Sequence, residues 1–223
     1  MTNTNQDKTI AVALMGLPGS GKGTQAIFLL EKLNAVSISV GELVRNALKS
    51  YPESEIKSKA EEKYNSGQPV DDDFIMMIIK DEISKYKNRN IVFDNYPFSK
   101  NQMVDFKNIM KESKIDKYVA LNIEIDQETA MSRIAGRVVC QKCGESFRGL
   151  AAGDICPKCN VPLVHRADDK EEVVKNRIIK YIPRIEEISK NFDREGKYIR
   201  IDGERTPEEV REEINSKFDK WNI

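Results

Sequence analysis

Apolar residues along this chain follow two alternating rhythms. Short strand-length stretches stand at Thr9–Met15, an apolar run of the length of a buried parallel strand, and at Val36–Val40, Ile91–Asp94, Tyr118–Ile123 and Tyr198–Ile201. Between them the apolar residues space out to helical intervals. Helices are predicted over Gln25–Leu33, Gly41–Lys49 and Phe74–Tyr86, the last with Asp71, Asp72 and Asp73 as candidate caps. A charged surface helix is predicted over Glu53–Asn65, ending at Gly67. Asp126 caps a helix running to Ala135. Glu171–Arg194 carries a stripe of Val174, Ile178, Tyr181, Ile185, Ile188 and Phe192, with a kink expected at Pro183. The last helix opens on Thr206-Pro207-Glu208-Glu209, a capping box with proline at the first helical position. Strand–helix alternation of this kind predicts an α/β fold, a parallel sheet covered on both faces by helices. Met1–Lys8 is polar and reads as a disordered tail.

The first strand and first helix are joined by Gly16-Leu17-Pro18-Gly19-Ser20-Gly21-Lys22-Gly23-Thr24. In a strand–loop–helix setting this is a phosphate-binding loop. Its glycines let backbone N–H groups turn inward, and the helix start adds partial positive charge at the same point. Lys22 supplies a full charge for the outer phosphates. The motif departs from its general form at Gly23, where Ser or Thr is usual; Thr24 follows one place later. The competing reading is a plain glycine-rich turn.

All four cysteines fall in two Cys-x-x-Cys knuckles, Cys140/Cys143 and Cys156/Cys159. That spacing closes a tetrathiolate site, for which zinc is the default metal. The segment between the knuckles has too little apolar content to fold alone, so the metal is expected to be its core. Two disulfides are the alternative. With four thiolate ligands the metal reads as structural. His165, the single histidine, reads as a surface residue.

The composition narrows the partners. Thirty-six basic residues balance thirty-six acidic ones, so no net field favours nucleic acid or an anionic membrane. No apolar run approaches a bilayer span. A soluble, cytoplasmic protein is expected, with no obligate protein partner.

Triphosphate chemistry needs positioned positive charge more than covalent help. Arg133 and Arg137 lie one helical turn apart before the cysteines, and Arg166 and Arg177 follow them. Both pairs bracket the metal module, so its movement can carry them towards Lys22. Guanidinium forks suit phosphate oxygens. The bland alternative is a set of solvated helix-face charges. A phosphate acceptor is already ionised at neutral pH and needs no general base.

Taken together, these residues resemble the adenylate kinase family in its long-lid, zinc-containing form. The resemblance runs from Ile10 to about Ile214. It rests on the loop Gly16–Gln25, Ser39-Val-Gly-Glu-Leu-Val-Arg45, Asp94-Asn-Tyr-Pro97, Arg133-Ile-Ala-Gly-Arg137, the four cysteines and Arg166-Ala-Asp-Asp169. It implies a five-stranded phosphate-loop core (9–38, 71–135 and 170–223). A helical insertion (39–70) would bind the nucleoside monophosphate, and a zinc-stabilised lid (136–169) would close over the site. The implied reaction is reversible phosphoryl transfer from Mg-ATP to AMP. By resemblance Lys22, Arg137, Arg166 and Arg177 are catalytic. Gly19, Ser20, Gly21, Lys22, Gly23, Thr24, Arg133, Arg137, Phe147 and Arg205 hold ATP. Val40, Arg45, Gln68, Pro69, Val70, Asn95, Tyr96, Gln102, Arg166 and Arg177 hold the acceptor, and Asp94 organises Mg2+ through water.

The acceptor side departs from the family. The family's Asp-Gly-Phe-Pro-Arg reads Asp94-Asn95-Tyr96-Pro97-Phe98 here, so an arginine that grips the acceptor phosphate is missing, with Lys100 nearby in sequence. Val40 stands where a threonine faces the acceptor base, which predicts a broadened acceptor range. Two alternatives follow: a pyrimidine nucleoside monophosphate kinase, or a nucleotide-binding regulatory protein with weakened catalysis.

Overall fold

A computed structural model describes residues 9–115, 117–166, 169–221 and 223. The tail expected at Met1–Lys8, and Ala167 and Asp168 of the Arg166–Asp169 motif, lie outside the described residues. The five strand-length stretches form one parallel sheet. Its strands are β1 (Ile10–Gly16), β2 (Ala35–Ser39), β3 (Asn90–Asp94), β4 (Lys117–Glu124) and, after three short strands described below, β8 (Tyr198–Asp202). The order is β2-β3-β1-β4-β8. β1 is central, with Leu14 beside Asp94 of β3 and Gly16 beside Ile123 of β4. Its side chains alternate between two cores, as a period of two requires. Ala11, Ala13 and Met15 face one, Val12 and Leu14 the other.

The Val12–Leu14 face is covered by α1 (Lys22–Leu33), through Leu29 and Leu33, and by α8 (Pro207–Trp221), through Ile214 and Phe218. The opposite face is covered by α4 (Asp72–Ile83), α5 (Lys100–Glu112), α6 (Gln127–Ala135) and α7 (Glu171–Arg194). α2 (Val40–Ser50) and α3 (Glu55–Asn65) form the helical excursion between β2 and α4. It is tied to the body at Gly67, where a Cβ would come within 2.4 Å of the Val173 carbonyl oxygen of α7. α7 continues through Pro183 as one element. None of these helices is long and apolar enough to cross a membrane.

The caps behave as follows. Asp126 accepts from the Thr129 N–H at 2.7 Å, and Thr206 and Glu209 bond reciprocally as a capping box. Asp71 takes the N-cap position of α4, yet its carboxylate pairs with Lys63 and not with the helix. Asp72 accepts from Ser99 and Gln102, joining α4 to the start of α5. α5 itself has no counterpart among the helices predicted above. Its signals are present: Ser99 caps Gln102 at 3.1 Å, and Met103, Phe106, Ile109 and Met110 form an apolar stripe.

The cysteine segment folds as a separate antiparallel sheet of β5 (Arg137–Cys140), β6 (Ser146–Arg148) and β7 (Leu163–Val164), in the order β6-β5-β7. Val138 of β5 and Leu163 of β7, which flank the segment between the knuckles, are buried with Cys140 and Cys156 in one small cluster.

Phe106 is fully buried, with the rings of Phe93, Tyr118, Phe192 and Tyr96 centred 5.5 to 6.0 Å away. Phe106→Ala should cost about 3–5 kcal/mol of unfolding free energy. Urea denaturation of the variant measures it, and a loss below about 1 kcal/mol would refute this packing.

Candidate active site

The site forms where β1 ends. Gly16 has φ +144° and a Cβ there would meet the Ile123 carbonyl oxygen at 2.4 Å; at Gly19, φ +82°, it would meet that of Ala130 at 2.9 Å. Only glycine allows the loop to lie this close to β4 and α6. Gly21, the N-cap of α1, offers no side chain to the helix's first N–H groups, so the positive end of α1 opens on the loop.

Lys22 is the first residue of α1 and is 8% exposed. Its ammonium donates to the carbonyl oxygens of Gly16 and Leu17, each at 2.9 Å. Burial lowers its pKa to about 8. The Asp94 carboxylate opposes that shift, and the guanidinium groups of Arg137 and Arg177 add to it. The four charges named in the sequence therefore converge: Lys22, Asp94, Arg137 and Arg177. Asp94 ends β3 beside Leu14. One of its oxygens accepts from Ser39 Oγ at 3.1 Å; the other, Oδ1, is buried without a partner, as is Ser20 Oγ. Asn95 follows at φ +60°, a conformation asparagine tolerates and glycine takes freely.

The arginines are held by acceptors of the chain itself. Arg137, at the start of β5, makes a two-pronged contact with Asp169, using Nε at 2.8 Å and Nη2. Arg133 donates to the carbonyl oxygens of Gly203 (2.8 Å) and Glu204 (3.3 Å). Arg205, on that same turn after β8, pairs with Asp202 at 3.0 Å. Arg133 and Arg205 thus share one wall of the cleft. Arg177 is buried on α7 and Arg166 is half-buried ahead of it.

On the helical excursion, Arg45 approaches the Tyr64 hydroxyl at 3.5 Å. Val40, Gln68, Pro69 and Val70 are half-buried. Two of the residues assigned to the acceptor point inward. Tyr96 is wholly buried and donates to Asp105 at 2.7 Å; burial and that carboxylate raise its pKa. Gln102 accepts from the Phe98 N–H at 2.8 Å and donates to Asp72 at 2.8 Å, so both ends of its amide are engaged. Lys100 is exposed and pairs with Glu187 at 2.9 Å.

Two contributors escaped the sequence reading. Arg148 stands opposite Arg137 across β5–β6, where burial and the nearby Arg133 lower its pKa. Strand alternation after Phe147, which packs against the Val138–Leu163 cluster, is the available signal. Asp169 closes the Arg166–Asp169 motif, and its role as the partner of Arg137 emerges from the fold.

The four cysteines are free thiols whose sulfurs lie within 4.8 Å of one another, with Cys143 and Cys156 at 4.0 Å. A tetrahedral zinc with bonds of about 2.3 Å sets its sulfurs about 3.8 Å apart, so the cluster can hold such an ion. Burial raises the Cys140 pKa, but backbone N–H groups of Cys143 and Lys142 and the neighbouring thiols bring it to about 7, while the Cys143 thiol, burial and the Cys140 thiol push Cys159 up to about 12. His165 is exposed and apart from the cluster, its Nδ1 3.4 Å from the Arg137 carbonyl oxygen.

A glycine loop on a buried lysine, with guanidinium groups converging on it from two other elements, defines a nucleotide-dependent phosphotransferase of the phosphate-loop class. Comparison with known proteins narrows this further. The adenylate kinase family model matches residues 14–197. Adenylate kinase of Acetivibrio thermocellus is 33% identical over 208 residues, 91% of this chain and 95% of the relative. That of Thermococcus kodakarensis is 31% identical over 212 residues, 93% of each. That of Caldicellulosiruptor bescii is 37% identical over 175 residues, 75% of this chain and 80% of the relative. The chain belongs to the adenylate kinase family and is a nucleoside monophosphate kinase. Neither the pyrimidine nor the non-enzymatic alternative is favoured by these relatives.

The Lys22 pKa has a consequence for stability. The folded protein releases this proton at about 8, the unfolded chain at 10.5. Between those values the unfolded state binds more protons, so the Lys22 contribution to stability rises with pH. Wild type should gain up to about 3 kcal/mol relative to Lys22→Met from pH 8 to 10.5. Urea unfolding of both proteins across that range tests it; parallel curves would contradict the buried, desolvated lysine.

Proposed function

We propose that the chain catalyses reversible phosphoryl transfer from Mg-ATP to AMP, giving two ADP, with an acceptor range broadened towards other nucleoside monophosphates. The observation that carries this reading is the convergence of Arg137 and Arg177 on Lys22 and Asp94. The loop N–H groups and Lys22 would hold the donor phosphates. Lys22 has to leave two carbonyl oxygens to do so, and phosphate oxygens replace those weaker acceptors. Arg137 would exchange Asp169 for the transferred phosphoryl as residues 136–169 close, and Arg177 with Arg166 would hold the acceptor phosphate. Closure excludes water, which strengthens each contact and suppresses hydrolysis. No general base is needed because the acceptor oxygen is already ionised.

In this reading residues 39–70 form the acceptor-binding unit and residues 136–169 the lid, both moving on the core. The unpartnered Oδ1 of Asp94 and Oγ of Ser20 suit a hydrated Mg2+ carried in with ATP. That ion supplies charge neutralisation across the outer phosphates. Zinc in the four-cysteine cluster would fix the lid's shape without taking part in transfer. Val40 packs against the core and offers the acceptor base no hydrogen bond. The reading also places the protein in the cytoplasm.

Transfer from Mg-ATP is measured against AMP, GMP, CMP and UMP in one panel. Turnover is expected with AMP, with other acceptors within about tenfold, and Lys22→Met should reduce it at least a hundredfold. No transfer to any acceptor, with ATP still bound, would overturn the assignment. Metal analysis of the purified protein should give one zinc per chain, and a chelator should lower the melting temperature; a metal-free protein with unchanged melting would contradict the zinc lid.

A further inference from the structure

The acceptor side lacks a charge at position 98 and has an unsatisfied one close by. Phe98 closes the loop that begins at Asp94, and it is 8% exposed. Its ring meets Tyr181 edge-on, centroids 4.5 Å apart. The guanidinium carbon of Arg184 stands 5.9 Å from the Phe98 centroid. Arg184 Nη1 is buried and has no hydrogen-bond partner. A ring face attracts the cation but does not satisfy that N–H, and a buried charged donor left unmade is costly. The position makes sense if an acceptor arrives there.

The geometry of α7 indicates which one. Arg184 follows Arg177 by seven residues, two helical turns, so both lie on one face, with Tyr181 between them. Helical side chains lean towards the N-terminus. The long Arg184 side chain therefore reaches back towards Tyr181 and Arg177, the turn that faces Lys22. Lys100, the other cation near Phe98 in sequence, is turned to solvent and paired with Glu187.

We propose that Arg184 supplies the acceptor-phosphate guanidinium that position 98 lacks, donating from Nη1 to the phosphate that Arg177 also grips. Phe98 and Arg184 then act as an exchanged pair. The charge has moved from the β3–α5 loop to α7, and the vacated position has become the apolar floor on which the new guanidinium rests. This rests on the reading of a nucleoside monophosphate as acceptor.

The test is steady-state kinetics of the full-length protein with AMP and ATP varied separately. Arg184→Met should raise the KM for AMP about ten- to a hundredfold, with the KM for ATP changed less than about threefold. The double variant Phe98→Arg/Arg184→Met should recover most of the loss, because it returns a guanidinium to the loop. A KM for AMP within about twofold of wild type, or equal losses towards both nucleotides without rescue by Phe98→Arg, would reduce Arg184 to a packing strut and overturn the proposal. If Arg184→Met fails to fold, wild type labelled with 15N-arginine decides. The Arg184 guanidinium resonance, assigned by its disappearance in Arg184→Lys, should move on adding AMP; a resonance that AMP leaves in place overturns the proposal. Wild type inactive with every acceptor would remove the acceptor reading and this proposal together. Wild type active on AMP with an unaffected Arg184→Met would remove this proposal alone.

Discussion

A lysine ammonium inside a protein needs acceptors on every side, and Lys22 finds its first two in the carbonyl oxygens of Gly16 and Leu17. Much of the structure serves to keep it there. The sheet places β1 centrally, so its C-terminal end opens between strands on both sides. Gly16 and Gly19 press the loop against β4 and α6 so closely that no side chain fits. α1 begins at Lys22 itself and directs its positive end into the same hollow. The result is a cavity built for negative charge that holds, without a ligand, a cation with a weakened grip on its proton.

The arginines around it show the same economy. Arg137 rests on Asp169, Arg133 on the carbonyl oxygens of the turn after β8, and Arg205 on Asp202. Each is kept ordered by an acceptor of the chain itself. In the proposed reaction binding would exchange these partners for phosphate oxygens, with little side-chain entropy left to lose. The antiparallel sheet carrying Arg137 and Arg148 holds its shape through Val138, Leu163 and four clustered thiols. In the proposed closure that module would carry its arginines as a unit.

The three inner strands were legible because burial on both faces demands apolar runs, the edge strands β2 and β8 because apolar and polar residues alternate along them, and the loop because its glycines sit at conformations other residues avoid. Asp126 and the Thr206–Glu209 box performed as written. Asp71 did not, since Lys63 competes for its carboxylate, a contact that no local rule contains. α5 had a readable cap at Ser99 and an apolar stripe, yet its dense polar face masked it. Gln102 and Tyr96 illustrate the harder case. Their residue types suit a nucleotide, but long-range partners, Asp72 and Asp105, turn them inward. Arg184 was invisible for the same reason: its relation to Phe98 exists only after α7 packs on the β3–α5 loop.

In the proposed reaction the donor side would rest on the loop residues of the family, and the acceptor side would meet its charge requirement without an arginine at position 98. The claim beneath both is that Lys22 marks the line along which phosphate moves. A crystal structure with a non-transferable ATP analogue and AMP tests that directly. The account predicts the Lys22 ammonium drawn off the carbonyl oxygens of Gly16 and Leu17, to within about 3 Å of a donor phosphate oxygen. A complex in which both nucleotides are bound while Lys22 stays on those two carbonyls would contradict it.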